Sequence, residues 1–271
     1  MSDKNDWDIN RVLFEFCPTI FHLFIAVPRY LERISRRHKA KMKYLGDKLK
    51  EEQIVSTETN FLDLPLRYLM GEEIAGALLK FIDSSVKSNI DSLEAHHQPA
   101  FLKIVKDMVA NFDNERSNLW DRLGEILVLN YFINRKGYKL IDIEYTLKNG
   151  KTIDYLFLDN YGQKHLLMEV LNINLKEDKV EDKKGLMALL NHRTDVKYED
   201  KTKGLLITDM EFSMIIQPVI WAHSWILQEF KDSVMNYGNP HKVLEPCILW
   251  FIENRNTKQY NFKFGPISEI L

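Results

Sequence analysis

The sequence predicts an α/β domain with a mixed sheet, in the order α-β-β-β-α-β, preceded by an N-terminal helical domain. Three observations carry that expectation. Before residue 111 the apolar residues recur at helical spacing, whereas after Asp113 short, densely apolar runs take over. Two glycine-containing connections, Lys148-Asn149-Gly150 and Asn160-Tyr161-Gly162, join three strand-like runs as hairpins. A helical run precedes those strands, and a charged segment, a second helical run and the apolar run G-L-L-I-T-D-M follow them.

With 271 residues, 45% hydrophobic and 28% charged, the chain is long and apolar enough to bury one large core or two modest ones. Its net charge of −2 excludes a whole-protein attraction to nucleic acid, so any such affinity must come from a local patch. Cys17 and Cys247 are too few for a disulfide framework and fit neither zinc nor redox spacing, so a cytoplasmic location is expected. The apolar run over 12–27 contains Glu15, Pro18 and His22 and is too short and too polar to span a membrane. Asp3, Asp6 and Asp8 also argue against a signal peptide. That run is expected to be a helix buried in the protein or in a partner.

The helical domain is placed at 1–111. Over 30–49, Leu31, Ile34, Met42, Leu45 and Leu49 mark one helical face, and the rest of the surface is strongly basic. Arg33, Arg36, Arg37 and Lys41 are the candidates there for contacts to phosphates, against the plainer reading of a solvated helix face. Helical patterns follow over 66–82 and 101–111, separated by a polar break in which His96-His97 reads as a surface loop. These N-terminal helices also offer a surface for a homodimer.

The second domain is placed at 112–271. A helix over 118–136 ends at Gly137, where a C-terminal cap belongs. Strands are expected over 138–147, 152–158 and 165–174, a helix over 185–196 and a short buried strand over 204–210. A long helix is expected over 214–236, with Trp221 and Trp225 on one side and Pro218 near a kink, followed by closing strands over 247–253 and 260–264.

Three carboxylates stand in apolar surroundings: Glu125 in L-G-E-I-L-V-L-N, Asp154 in K-T-I-D-Y-L-F-L and Glu169 in L-L-M-E-V-L-N-I-N. The helix around Glu125 is apolar nearly all round, and the strands of Asp154 and Glu169 are apolar on both faces, as central strands are. Buried carboxylates are costly unless they share a cation, and a divalent site on a sheet is an arrangement suited to phosphodiester chemistry. The alternative is that each acid lies at an element's end and reaches solvent.

Gly124-Glu125 on a helix, Gly137-Tyr138 before the first strand, Ile153-Asp154 in the second and Glu169-Val170-Leu171 in the third form a recognisable series. The segment resembles the core of the PD-(D/E)XK nuclease superfamily, the restriction-endonuclease-like fold, and most of all its small resolvase-like members. Fifteen residues separate Asp154 from Glu169, an ordinary spacing there. The resemblance implies a metal-dependent nuclease acting on nucleic acid, DNA first, in bacterial defence or a mobile element. It implies that Glu125, Asp154 and Glu169 hold Mg2+ or Mn2+, with the main-chain carbonyl of Val170 as a further ligand.

One position departs from the pattern: the family's lysine belongs two residues after Glu169, and Leu171 stands there. In the family that lysine orients the attacking water and stabilises transition-state charge, which leucine cannot do. Lys183, Lys184 or His165 can be offered as substitutes, Asn172 can be imagined turning inward through a bulge, or the chain has lost cleavage. In the last case it is a catalytically inactive module for nucleic-acid binding or protein interaction.

Overall fold

The computed structural model describes residues 9–25, 60–110, 118–159, 161–162, 164–175, 182–205, 213–222, 224–235, 237, 242–254 and 259–271. The basic run with Arg33, Arg36, Arg37 and Lys41 lies outside the described residues, as does most of the strand expected over 204–210. The chain divides into two compact units.

The helical unit takes its described residues from Met1–Ser88, Val105–Leu119 and Phe251–Phe262. Helix α1 (Ile9–Phe16) buries Ile9, Val12, Leu13 and Phe16, the stripe expected of an amphipathic helix. The apolar run does not continue as one buried helix, because the proline has no N–H to donate: a short turn at Pro18–Ile20 and a π-helical turn at Phe21–Ile25 follow. Phe14 and Leu23 face outward. Asp83 accepts the Ile20 N–H at 2.9 Å and the Cys17 thiol donates to the Leu79 carbonyl at 3.3 Å, tying this segment down. The helix expected over 66–82 is two helices, α2 (Asp63–Leu69) and α3 (Glu73–Ser92), interrupted at Gly71, whose φ of 97° lies in the left-handed region. Helix α4 (Gln98–Ala110) follows.

The sheet unit takes Asn89–Ile104, Trp120–Trp250 and Lys263–Leu271. Helix α5 (Leu119–Asn134) leads through Gly137, at φ 71°, into β1 (Lys139–Thr146), β2 (Thr152–Leu158) and β3 (His165–Asn174). Helix α6 (Lys183–Thr202) returns the chain to β4 (Ser213–Trp221); α7 (Ser224–Glu229), α8 (Lys231–Met235), β5 (Cys247–Asn254), β6 (Gln259–Pro266) and α9 (Ile267–Ile270) follow, with Phe251–Phe262 of β5 and β6 counted in the helical unit. The sheet has six strands in the order β1-β2-β3-β4-β5-β6, antiparallel across β1/β2 and β2/β3 and parallel across β3/β4 and β4/β5. The class is therefore α/β with a mixed sheet. Helix α5 lies over the face bearing Phe157, whose ring stacks on Phe132 at 5.6 Å. On the other face Leu156, Leu167, Leu171 and Ile173 share a core with Leu186 and Leu190 of α6.

The helix expected over 214–236 is instead β4 followed by two short helices. Nine residues, Ser213–Trp221, pair with β3 in unbroken parallel register from Leu166↔Ser213 to Asn174↔Trp221, and burial on both faces overrides the helical spacing of the two tryptophans. Trp221 is 2% exposed and Trp225 is 42% exposed, so the pair forms no common face. Pro218 sits in this inner strand because the ladder to β5 is broken beside it. Ile216 sends both its N–H and its C=O toward that neighbour, to Lys242 and Leu244, so the nitrogen of Pro218 two residues on points the same way and needs no donor. The Gln217 side-chain amide fills the gap by donating to the Glu245 carbonyl at 3.0 Å.

His97 also departs from expectation: it is buried at 6% exposure, its ring 3.8 Å from that of His96 in the turn between α3 and α4. Burial, helped by His96, lowers its pKa below the ordinary 6.5, against opposing pulls from the Leu140 carbonyl, Asp142 and Glu94. The native state therefore holds fewer protons than the unfolded chain just below pH 6.5, so stability is lost as pH falls from there through the lowered value. His97→Phe, which keeps the ring, is expected to flatten the fall in melting temperature between pH 7.5 and about 5. An unchanged slope counts against a buried neutral His97.

Candidate functional site

The hairpin of β2 and β3 positions the two strand carboxylates. Tyr155 pairs with Met168, and the same register carried one residue further sets Asp154 opposite Glu169. Directly opposed side chains leave one face of a sheet with Cβ atoms about 4.5–5.5 Å apart. Glu169 is 1% exposed, and Asp154, half-buried, accepts the Val170 N–H at 2.7 Å. Glu125 comes from the second turn of α5, and both its oxygens accept from Arg122 Nη1, at 2.9 and 2.8 Å.

Helix α5 is pinned at that turn by Asn172, whose Nδ2 donates to the Asp121 carbonyl at 3.0 Å and whose Oδ1 accepts from Trp221 Nε1 at 2.9 Å. This close approach requires Gly124, since a Cβ there would lie 2.0 Å from Asn172 Oδ1. Asn172 thus serves as a clamp on α5 and does not turn toward Glu169. Leu171 is buried and packs in the core on the α6 face.

The cations at Glu169 come from the far end of α6. Lys197 Nζ lies 2.7 Å and Lys201 Nζ 3.0 Å from Glu169 Oε1, and Lys201 also donates to the Thr152 carbonyl. The helix end is held by Asn149 of the β1–β2 turn, whose Nδ2 donates to the carbonyls of Lys201 and Lys203 at 2.9 Å each. Glu169 Oε2 and the hydroxyl of Tyr155, both buried, have no hydrogen-bond partner among the described residues.

The charges act on one another. Burial pushes the Asp154 carboxyl well above the usual carboxylate range, and the charges of Glu169 and Glu125 push it further, against the Val170 N–H and Lys197. Burial raises Glu125 too, and Arg122 pulls it back. For Lys197, burial works against the ammonium, and Glu169 with the neighbouring carboxylates more than offsets it, so the pKa is raised.

Glu125, Asp154 and Glu169 thus form one electrostatic cluster. They do not stand as a three-ligand metal group: among the described residues no set of three His, Cys, Asp or Glu side chains is arranged to hold an ion. Arg122 occupies Glu125, and the lysines occupy one oxygen of Glu169.

The other sequence candidates lie apart. Lys183 and Lys184 are exposed in the first turn of α6, about 20 Å of helix before Lys197 at 1.5 Å per residue. His165 is exposed at the start of β3, about 13 Å of strand from Glu169. It lines a separate cavity of about 500 Å³ with Tyr131, Tyr138 and Gln217.

Sequence reading missed Lys197 and Lys201 because the helix was expected to stop at 196, whereas α6 runs to Thr202. The signal was present: Leu186, Leu190, Thr194, Lys197 and Lys201 recur every three or four residues, so the two lysines extend the buried stripe of the helix. No family model, no curated protein and no solved structure matches the chain.

Two outcomes test this geometry. Gly124→Ala is expected to destabilise the fold by about 1–3 kcal/mol, an overpacking cost, read as a lowered denaturant midpoint. An unchanged midpoint would refute the clamp. Because the folded pKa of Asp154 is raised, the native state keeps a proton that the unfolded chain has released, and stability falls as pH rises from the ordinary carboxylate value through the raised one. Asp154→Asn, which still accepts from Val170, is therefore expected to melt at a higher temperature than the unaltered chain at pH 7 without metal. A lower melting temperature would contradict the repulsion.

Proposed function

We propose that the chain is a metal-dependent phosphodiesterase acting on nucleic acid, DNA first, in which Lys197 takes the part that position 171 has in the PD-(D/E)XK pattern. The observation that carries this reading is the ammonium of Lys197, 2.7 Å from the buried Glu169 carboxylate that faces Asp154. Lys201 donates to a main-chain carbonyl as well and anchors Glu169. Lys197, with 33% of its side chain exposed, has room to turn toward a substrate.

The donors suit Mg2+ or Mn2+. All are oxygens, Glu169 Oε2 is a buried acceptor without a partner, and Asp154 carries a charge penalty that a cation would relieve. One or two carboxylates with substrate phosphate oxygens are enough for Mg2+. Asp154 and Glu169 would hold the ion, with the Val170 carbonyl and Glu125 as further oxygens. Such an ion supplies charge stabilisation to phosphoryl oxygens and lowers the pKa of bound water.

The chain's own part follows from the charge on Lys197. Its raised pKa keeps it an ammonium at neutral pH, so it donates hydrogen bonds and positive charge toward oxygens that gain negative charge, and it does not abstract a proton. Helix α6 and the buried Glu169 carboxylate on the sheet hold it beside the cluster, from which its partly exposed side chain can turn. A role in bacterial defence or a mobile element rests on the family resemblance alone. The engagement of Glu125 by Arg122 favours a second reading, a nuclease-like module that binds without cutting.

Incubation with Mn2+ and plasmid, single-stranded DNA and RNA separates the two. Cleavage is expected, lost on Asp154→Ala and lowered at least about 100-fold by Lys197→Ala, the scale of a removed electrostatic donor. Lys183→Ala, Lys184→Ala and His165→Ala should leave it unchanged. Substrates that stay intact with the unaltered protein would favour the binding module, and cleavage that survives Lys197→Ala would refute the assignment of that lysine.

A further inference from the structure

Arg122 grips Glu125 in an unusual way. A single nitrogen, Nη1, touches both carboxylate oxygens, at 2.9 and 2.8 Å, where a planar fork would place one nitrogen on each. A cation chelated by a bidentate carboxylate occupies that same position. The surroundings make exchange feasible: 28% of the Arg122 side chain is exposed against 12% for Glu125, so the guanidinium has a way out and the carboxylate does not.

The other acids do not need to be cleared. Lys197 and Lys201 share Glu169 Oε1 and leave Oε2 open, whereas Arg122 covers both oxygens of Glu125. Three carboxylates face three cations, so a divalent ion that reaches Glu125 must displace one of them, and Arg122 is the one in its place. A separate orphaned group stands on the α5 side of the sheet, the side of Glu125. The Tyr155 hydroxyl, fully buried beside the charges of Glu125 and Asp154, has no partner among the described residues.

We infer that Arg122 is an exchangeable stand-in for the metal at Glu125 and, once displaced, a ligand for a backbone phosphate of the nucleic acid. The inference rests on the metal-dependent reading given above. Exchange then couples the two ligands: the metal frees the guanidinium, and the phosphate receives it. Because Arg122 is three residues before Glu125 on one helix face, both partners lie within reach of one side chain.

Mn2+ binding to the full chain, followed by the electron paramagnetic resonance signal of free Mn2+, tests the first half. Arg122→Gln is expected to bind Mn2+ about tenfold more tightly, the scale of a partly buried ion pair that no longer has to be broken. Fluorescence anisotropy with a labelled DNA duplex tests the second half. In Ca2+ the substitution should weaken binding and reduce the slope of log affinity against log salt by about 0.9, one phosphate contact. In EDTA it should change nothing, since Arg122 is then on Glu125. Unchanged or weaker Mn2+ binding, or the same salt slope in Ca2+, overturns the inference. If Asp154→Asn abolishes Mn2+ binding while Arg122→Gln leaves it unaltered, the exchange fails and the metal centre stands. If the unaltered chain binds no Mn2+, both fail. Should Arg122→Gln not fold, Arg122→Lys is read on the same scales: a smaller shift in the same directions supports the exchange, and no shift overturns it.

Discussion

Glu169 lies in an inner strand between β2 and β4, on the face that α6 covers, and almost none of it meets solvent. An unpaired carboxylate there would cost several kcal/mol, so the geometry around it is set by the need to bring positive charge inward. That need accounts for the length of α6, for the Asn149 amide that holds its last turn, and for the lysine amine that also bonds the Thr152 carbonyl. It also makes sense of Leu171. With the ammonium groups arriving from the helix, position 171 is released to pack in the core, so the leucine and the two distant lysines are one structural choice.

The two helices that flank the cluster are fixed by different physics. Helix α5 is seated by neutral hydrogen bonds through Asn172 and by the absence of a side chain at Gly124. Helix α6 is seated by an N-cap at Asp182, an apolar stripe and, at its far end, ion pairs to a buried acid. Glu125 therefore arrives on a support indifferent to charge, while Lys197 arrives on one whose position depends on the charge it neutralises. The Lys201–Glu169 pair, the more buried of the two, is screened less by salt than the part-exposed Lys197 pair.

What was legible in the sequence follows from which forces act locally. Strands β2 and β3 fall where the glycine turns and apolar runs place them, because Gly150 and Gly162 adopt the positive φ that those hairpins require. Asp154 and Glu169 were readable for the same reason, and burial of Glu125 followed from a helix apolar on every side. Strand β4 was not readable, since its apolar residues fit either period and the four-residue spacing of two tryptophans favoured the wrong one. The lysines were missed by misplacing one helix end. Arg122, a single turn from Glu125, was in plain view, yet its role depends on the rotamers of two flexible side chains, which no spacing encodes.

The gap beside Pro218 bears on how the sheet holds together. On its β3 side, strand β4 keeps nine consecutive pairs, Pro218 among them. Between β4 and β5 the regular register has only two, Val219↔Cys247 and Ile220↔Ile248, with one isolated bridge at Ile216↔Val243 and the Gln217 amide between. Among the described ladders from β1 to β5, backbone pairing is thus unevenly shared, and local opening meets the fewest hydrogen bonds at the seam between β4 and β5. Asp154 in β2 and Glu169 in β3 are separated from that seam by β4. The nine-pair ladder runs through the strand that carries Glu169, so one unbroken ladder stands between the gap at β5 and the charged cluster.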